Sequence, residues 1–346
     1  MTFSLNQLTI PVCGAPMAGG PSTPELVAAV SNAGGLGMLG AGYYDLATLK
    51  QQVGRVRELL NSGDEPFGVN LFVPQEPMNK EYLVELDNYR KKLHFLATRF
   101  GLDVVNNELH IPQHFESLVG WLQAHPVPVV TFTFGLPPEG TIQCLQAVGT
   151  SVGVTVTTAE DALAATNAGA DFLCVQGPDA GGHQSTFTIS AEPNTVPLPQ
   201  LIPHIQETTP LSLIAGGGVA SREDFHAILG LGVQAVHIGT LLLQAQETGT
   251  AQTHLDALNQ SAWTETRITR AFTGRPARAV VNDFVTEFDE VAPAVYPHVH
   301  YVTAPLRAAA KNADDARWIS AWASTEYRRC AWAKNLPATE IIRHLR

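Results

Sequence analysis

Short apolar runs recur along the chain, each cut off by glycine, proline or a small polar residue and followed by a stretch with helical spacing. The runs are Ile10–Ala15, Leu36–Ala41, Phe67–Val73, Val129–Phe134, Val152–Val156, Phe172–Gln176, Leu211–Ala215 and Ala235–Ile238. Uninterrupted apolar runs of this length predict strands covered on both faces. Between them, Glu25–Asn32, a helix opened by Asp45, Pro138–Val148, Ala159–Ala168, Leu198–Gln206 and Arg222–Leu229 read as helices. Ser22 or Thr23 caps the first of these, with Pro24 in its first turn, and Ser221 caps the last. Eight strands alternating with helices favour an α/β fold, a TIM (β/α)8 barrel, over an open sheet. Leu241–Gln244 reads as the start of the helix after the eighth strand.

Two segments fall outside this rhythm. Residues 76–125 include a charged, helix-prone stretch from Glu76 to Gly101 and form a helical insertion in a barrel domain spanning 1–248. Residues 249–346 form a mostly helical domain able to roof the barrel mouth, with its last helices returning to the barrel. This second domain carries the turn-rich basic run Thr273–Arg278 and a proline-spaced run through Tyr296, His300 and Tyr301.

Composition narrows the function classes. A hydrophobic share of 45% with 15% charged residues is that of an ordinary globular protein, and the formal charge of −11 lacks the basic face a nucleic-acid binder needs. Small-molecule partners are expected, with no nucleic acid and no membrane. Cys13, Cys144, Cys174 and Cys330 are far apart and show no metal or redox spacing, so they read as packing residues of a reducing compartment. The start of the chain shows no signal-like apolar core and no run long enough to span a membrane, which points to the cytoplasm. Oligomeric state stays open, and no metal site is expected.

Chemistry concentrates at predicted strand ends. In Phe172–Ser185, FLCVQGPDAGGHQS, a buried strand stops at Gln176, and Gly181 and Gly182 permit a close, positive-φ approach that presents His183. A histidine in a turn carries no function by itself; its neighbours at other strand ends change that reading. Ala215-Gly216-Gly217-Gly218 follows the seventh strand and His237-Ile238-Gly239-Thr240 the eighth, the place where barrels commonly hold a phosphate on backbone N–H groups. Asn70 intrudes into an apolar strand, and with Gln176 supplies amides that donate and accept, suited to the mixed edge of a flavin ring. Ala15, Pro16 and Met17 offer a flat, backbone-rich surface after the first strand. Gly35–Gly40 spells GxGxxG, but a helix precedes it and apolar residues fill it, so it is not a dinucleotide-binding turn.

These pieces, in this order, resemble the nitronate monooxygenase family, formerly called 2-nitropropane dioxygenases, of the type called class I. The resemblance rests on APMAGG at Ala15–Gly20, the run Ser22–Tyr43, GVNLF at Gly68–Phe72, DAGGHQ at Asp179–Gln184, AGGGV at Ala215–Val219 and GRPAR at Gly274–Arg278. It implies an FMN-binding barrel with an added helical domain. Family contacts to FMN map onto Asn70, Gln176, Gly181, Gly218 and His237–Thr240, with Ala15, Pro16 and Met17 beside the ring. The phosphate rests on Gly217, Gly218, Gly239 and Thr240, and His183 matches the catalytic histidine. The implied reaction passes one electron from an alkyl nitronate, for instance propionate 3-nitronate, to oxidised FMN, and O2 captures the products, giving a carbonyl compound and nitrite. His183 then either removes the α-proton of a neutral nitroalkane or, protonated, holds the nitronate oxygens. Two departures stand out. His237-Ile238 replaces the usual Gln-Met, and Ser324-Thr325-Glu326 replaces the usual Gly-Gln-Gly. An FMN-dependent, NAD(P)H-consuming enoyl-acyl-carrier-protein reductase and a non-catalytic flavin-binding sensor remain as alternatives. A phosphosugar isomerase needs a carboxylate or lysine base that no strand end offers.

Overall fold

The structure is a computed structural model and describes residues 3–75, 80–106 and 108–346. Part of the expected insertion, at 76–79 and 107, lies outside the described residues. In chain order the strands are β1 (Val12–Gly14), β2 (Gly37–Gly40), β3 (Phe67–Phe72), β4 (Val129–Thr133), β5 (Ser151–Val156), β6 (Phe172–Gln176), β7 (Gly182–His183), β8 (Ser212–Gly216), β9 (Ala235–Ile238), β10 (Thr266–Thr269) and β11 (Ala277–Val280). Eight of them, all but β7, β10 and β11, run parallel in sequence order. The ring closes where Val12 pairs with Val236 on β9 and Cys13 bridges Leu36 beside β2. This is a TIM barrel, as the alternation of runs and helices predicts.

Pleating sorts each apolar run into two layers. Outward residues such as Val69, Leu71, Val130, Phe132, Val154, Leu173, Val175 and Val236 pack against the surrounding helices. Inward, Cys13, Met38, Val129, Phe172, Cys174 and Ile214 fill the N-terminal half of the barrel with Leu5 beneath them. Two of the caps expected from the sequence, Thr23 and Ser221, are formed, and Thr158 is a third. Thr23, Thr158 and Ser221 accept from Leu26, Asp161 and Asp224 N–H groups at 3.0, 3.0 and 3.2 Å. Ser22 instead uses its hydroxyl to accept from Met17 N at 2.9 Å, fixing the turn after β1.

The glycines of the GxGxxG spelling serve close packing inside β2. A Cβ on Gly37 would lie 2.0 Å from the carbonyl oxygen of Val27, and one on Gly40 would lie 2.5 Å from the nitrogen of Ala18. Nothing larger fits between this strand, its helix and the loop after β1.

Three expectations change. Leu242–Gln244 forms only a 3-10 turn, because the chain then leaves the barrel, and the eighth helical position is filled by Ala338–Leu345. That last helix buries Ile341, Ile342 and Leu345 in the same outer core as Leu26 and Phe225. Secondly, Phe115–Ala124, read as insertion, is a layer helix of the barrel, with Leu118 and Leu122 in that outer core. Only Lys80–Arg99 and its neighbours stand off. They share a separate core with the C-terminal region, where Tyr89 Oη donates to Ala271 O at 2.6 Å. Lastly, the C-terminal region is not helical throughout. It contributes β10 and β11, and β11 pairs antiparallel with β7.

Candidate active site

The C-terminal ends of the barrel strands surround a cavity of about 400 Å³. That size is ordinary for a small-molecule site. Of the residues singled out in the sequence, Ala15, Pro16, Met17, Asn70, Gln176, Gly181, Gly182, His183, Gly217, Gly218, His237, Gly239 and Thr240 all line it. Ile238 does not. It is buried in the outer layer, because the pleat turns its side chain away when it turns His237 inward. Its carbonyl still accepts from Ala15 N at 2.9 Å, so it holds the turn after β1 through the backbone.

The inward side chains near the strand ends form a polar layer above the apolar plug. Asn70 Nδ2 donates to Thr131 Oγ1 and Thr133 Oγ1, both at 2.9 Å, and to Thr131 O at 3.3 Å. A carbonyl only accepts, so the Asn70 nitrogen must face the threonines and its oxygen stays free among the described residues for a donor in the cavity. Thr155 extends the layer through Thr133, 3.2 Å between hydroxyls. Thr131, Thr133 and Thr155 were missed by the sequence reading. Their signal was the two-residue alternation Val129-Thr131-Thr133, hidden inside runs taken as wholly apolar.

Gln176 lines the cavity and also holds the loop that follows its strand. Its Nε2 donates to His183 O and its Oε1 accepts from Ser185 N, each at 2.8 Å. The amide is therefore a staple that closes the loop 177–185 on the end of its own strand. The other side of the loop is held by the basic run of the C-terminal region. His183 pairs with Ala277 and Gly182 with Arg278 in register, Gln184 N donates to Pro276 O at 2.8 Å, and Arg278 donates to Pro178 O at 2.8 and 3.1 Å. The AGGH and GRPAR motifs, about ninety residues apart, are thus two strands of one small sheet. Gly182 holds φ 77°, and a Cβ on Gly181 would lie 2.5 Å from the carbonyl carbon of Ala323, so both glycines are needed for this approach.

His183 sits among aromatic rings, with Phe134 and Trp322 centroids each at 5.4 Å and Tyr296 at 6.1 Å. Phe134 reaches it from a left-handed backbone, φ 78°, held by its N–H donating to Ser185 Oγ at 3.3 Å. Burial, then the guanidinium groups of Arg275 and Arg307, push the His183 pKa down to about 3. The imidazole is therefore neutral near pH 7 in the ligand-free site. Its Nε2 lies 3.1 Å from Thr273 Oγ1, whose hydroxyl can donate to Arg275 O at 3.1 Å. Arg275 is fully buried, with no carboxylate partner among the described residues. It donates to Gln75 Oε1 and Thr186 O and lies 4.1 Å over the Phe134 ring. Burial also pushes His237 and His254, both in the cavity wall, down to about 4.

The opposite side of the cavity suits an anion held by backbone. Gly217 and Gly218 adopt φ 148° and 78° at the end of β8, and the N–H groups of Gly217, Gly218, Gly239 and Thr240 make no hydrogen bond among the described residues. Thr240 Oγ1 accepts from Ser324 N at 3.1 Å, while the buried Ser324 hydroxyl has no partner. Unpaired donors and an orphaned hydroxyl on one wall are what a phosphate-bearing group would satisfy. Among the described residues no cluster of three or more His, Cys, Asp or Glu is arranged to hold a metal ion, and no helix is long and apolar enough to cross a membrane.

Comparison with known proteins agrees with this geometry. The sequence profile of the family described as nitronate monooxygenase matches residues 3–346. A probable nitronate monooxygenase from Staphylococcus saprophyticus is 35% identical over 332 residues, covering 93% of this chain and 92% of the relative. One from Staphylococcus aureus strain Newman is 33% identical over 345 residues, covering 97% and 93%. Among solved structures, a nitroalkane oxidase from Streptomyces ansochromogenes superposes with a TM-score of 0.90 at 37% identity, covering 99% of this chain and 96% of that one. FabK from Thermotoga maritima shares the fold, with a TM-score of 0.74 at 24% identity, covering 99% and 93%. With the profile spanning nearly the whole chain and the relatives above 30% identity, the chain belongs to the nitronate monooxygenase family, enzymes that are flavin-dependent oxidoreductases.

Proposed function

We propose that this enzyme uses FMN and O2 to oxidise alkyl nitronates to a carbonyl compound and nitrite. The observation that carries the reading is the division of one cavity into two walls. Among the described residues, one wall holds unpaired backbone donors at the ends of β8 and β9, and the other holds His183 with a guanidinium and no carboxylate. In this reading Gly217, Gly218, Gly239 and Thr240 hold the FMN phosphate, with the Ser324 hydroxyl beside them. Asn70 Oδ1, Ala15, Pro16, Met17, Gly181 and Gly182 contact the ring, while His237 closes the wall between ring and phosphate. FMN, when bound, supplies the one-electron oxidation that no protein side chain performs.

The chain's own residues orient the substrate and keep water out. Phe134, Tyr296 and Trp322 surround the imidazole, so a charge placed there is poorly screened. His183 is the catalytic residue in this scheme, a neutral imidazole able to accept a proton. An anionic substrate offsets the Arg275 and Arg307 charges and moves its pKa back towards the ordinary range. With a value near 3 before substrate enters, it is a weak base for a neutral nitroalkane, which favours substrates that arrive already ionised.

The test is aerobic oxygen uptake by the FMN-loaded protein with propionate 3-nitronate and with NADH, side by side. Nitronate-driven uptake with nitrite release supports the proposal. Anaerobic bleaching of the flavin by a reduced nicotinamide, with no response to nitronate, points instead to an enoyl reductase and refutes it. A protein that binds FMN yet turns over neither is the sensor.

A further inference from the structure

The formal charge of the chain is −11, yet no aspartate or glutamate lines the cavity among the described residues. Two cations do, Arg307 and Lys311, one turn apart on the helix His298–Asn312. Arg307 is held rigidly. Its Nε donates to Thr303 Oγ1 at 3.2 Å and its Nη2 to His300 O at 3.0 Å, with His300 Nδ1 at 3.3 Å. Those partners are all neutral, and among the described residues no carboxylate lies within ion-pair distance of it. Its Nη1 makes no hydrogen bond among the described residues. A part-buried guanidinium without a counter-ion is incompletely solvated, and an anion entering the cavity offsets its charge.

The position of this free donor is tied to the reacting end. The His300 ring beside Arg307 stacks on Tyr43 at 4.2 Å, Tyr43 meets the edge of Phe72 at 5.2 Å, and Phe72 meets the edge of His183 at 6.3 Å. A continuous aromatic wall therefore joins Arg307 to His183, on residues separate from the glycine cradle at β8 and β9. We propose that Arg307 determines specificity for the ionised substrate, its free Nη1 donating to an oxygen of a planar nitronate whose carbon faces His183. A guanidinium pinned through its other two nitrogens keeps that donor aimed, which a flexible lysine ammonium does not. The inference rests on the nitronate reading above and adds the residue that distinguishes the anion from its neutral conjugate acid.

The test uses FMN-loaded parent, Arg307→Met and Arg307→Lys proteins. Propanoate is the probe, a carboxylate of nitronate shape, and propanamide is its neutral control. Binding is followed by tryptophan fluorescence, since Trp322 lines the cavity. In Arg307→Met the propanoate affinity falls roughly 10- to 100-fold and the KM for ethylnitronate rises by a similar factor. Propanamide binding, and the KM for neutral nitroethane, change by less than about 2-fold, and Arg307→Lys recovers only part of the loss. Unchanged propanoate affinity in a folded, FMN-retaining Arg307→Met protein overturns the proposal, as does equal loss for propanoate and propanamide, the mark of a packing role. If the parent binds propanoate through Arg307 but turns over no nitronate, the anion site stands and the nitronate reading falls.

Discussion

The staple made by Gln176 gives the sharpest way to separate the barrel from the loop it carries. Gln176→Leu keeps the side-chain volume but removes the bonds to His183 O and Ser185 N, each 2.8 Å long. It also leaves that carbonyl and that N–H without partners, Ser185 being fully buried. The orphaned N–H of fully buried Ser185 costs about 1–3 kcal/mol and the lost bond to the carbonyl of half-buried His183 about 0.5–1.5 kcal/mol, so the loss is roughly 2–4 kcal/mol. At about 2.1 cal/mol/K per residue, unfolding 346 residues carries about 0.7 kcal/mol/K, so Tm falls by about 3–6 °C in a single transition. Activity falls further than stability suggests, because the freed loop carries the imidazole, and a misplacement of about 1 Å costs on the order of 100-fold. Gln176→Glu accepts from Ser185 N but cannot donate to His183 O, and falls between parent and Leu variant. Calorimetry beside nitronate-dependent oxygen uptake reads both effects. A Leu variant with Tm within about 1 °C of the parent and unchanged kcat/KM would show that the staple does not hold His183.

His183→Asn is expected to retain FMN while losing most turnover, with a heavier loss on a neutral nitroalkane than on a preformed nitronate; equal activity of mutant and parent on the nitroalkane refutes the base assignment. His183, His237 and His254 are held near 3, 4 and 4 against about 6.5 unfolded, so the unfolded chain binds more protons between these values. Stability therefore rises with pH from about 3–4 up to about 6.5 and is level above, and a Tm that did not drop between about pH 7 and pH 5 would contradict the buried neutral histidines. Ser324→Ala removes an orphaned hydroxyl, so the apoprotein gains about 1 kcal/mol while FMN binding weakens several-fold, and thermal scans with an FMN titration check the two opposite signs. Gly181→Ala drives a Cβ within 2.5–2.7 Å of the Ala323–Ser324 backbone, which displaces the loop and lowers both Tm and nitronate turnover; a silent substitution refutes the need for that approach.

The barrel was legible because its signal is local. Each strand is a short apolar run and each helix starts at a capping residue, and Thr23 and Ser221 do what their positions imply. The strand-end glycines and the lone histidine were legible for the same reason, since glycine beside a polar residue after an apolar run marks a bend whatever the fold. The appendage was harder. Thr266–Thr269 and Ala277–Val280 are too short to read as strands, and they become strands by pairing with each other, with β7 on the far edge of β11.

What the sequence alone determined, then, was the barrel, the side of it on which the chemistry lies, and the family. Tertiary structure decided which side chain performs which task. Gln176, read as a ligand-facing amide, is also a staple, because it bonds backbone groups seven and nine residues on that only the folded loop brings back. Arg307 carries no signal in the sequence. Its significance comes from the absence, among the described residues, of any carboxylate around it, which depends on how the helix His298–Asn312 roofs the cavity. The charge state of His183 was likewise beyond the sequence, since a pKa is set by the water excluded and the charges gathered in space, and Arg275 and Arg307 reach that histidine from far along the chain.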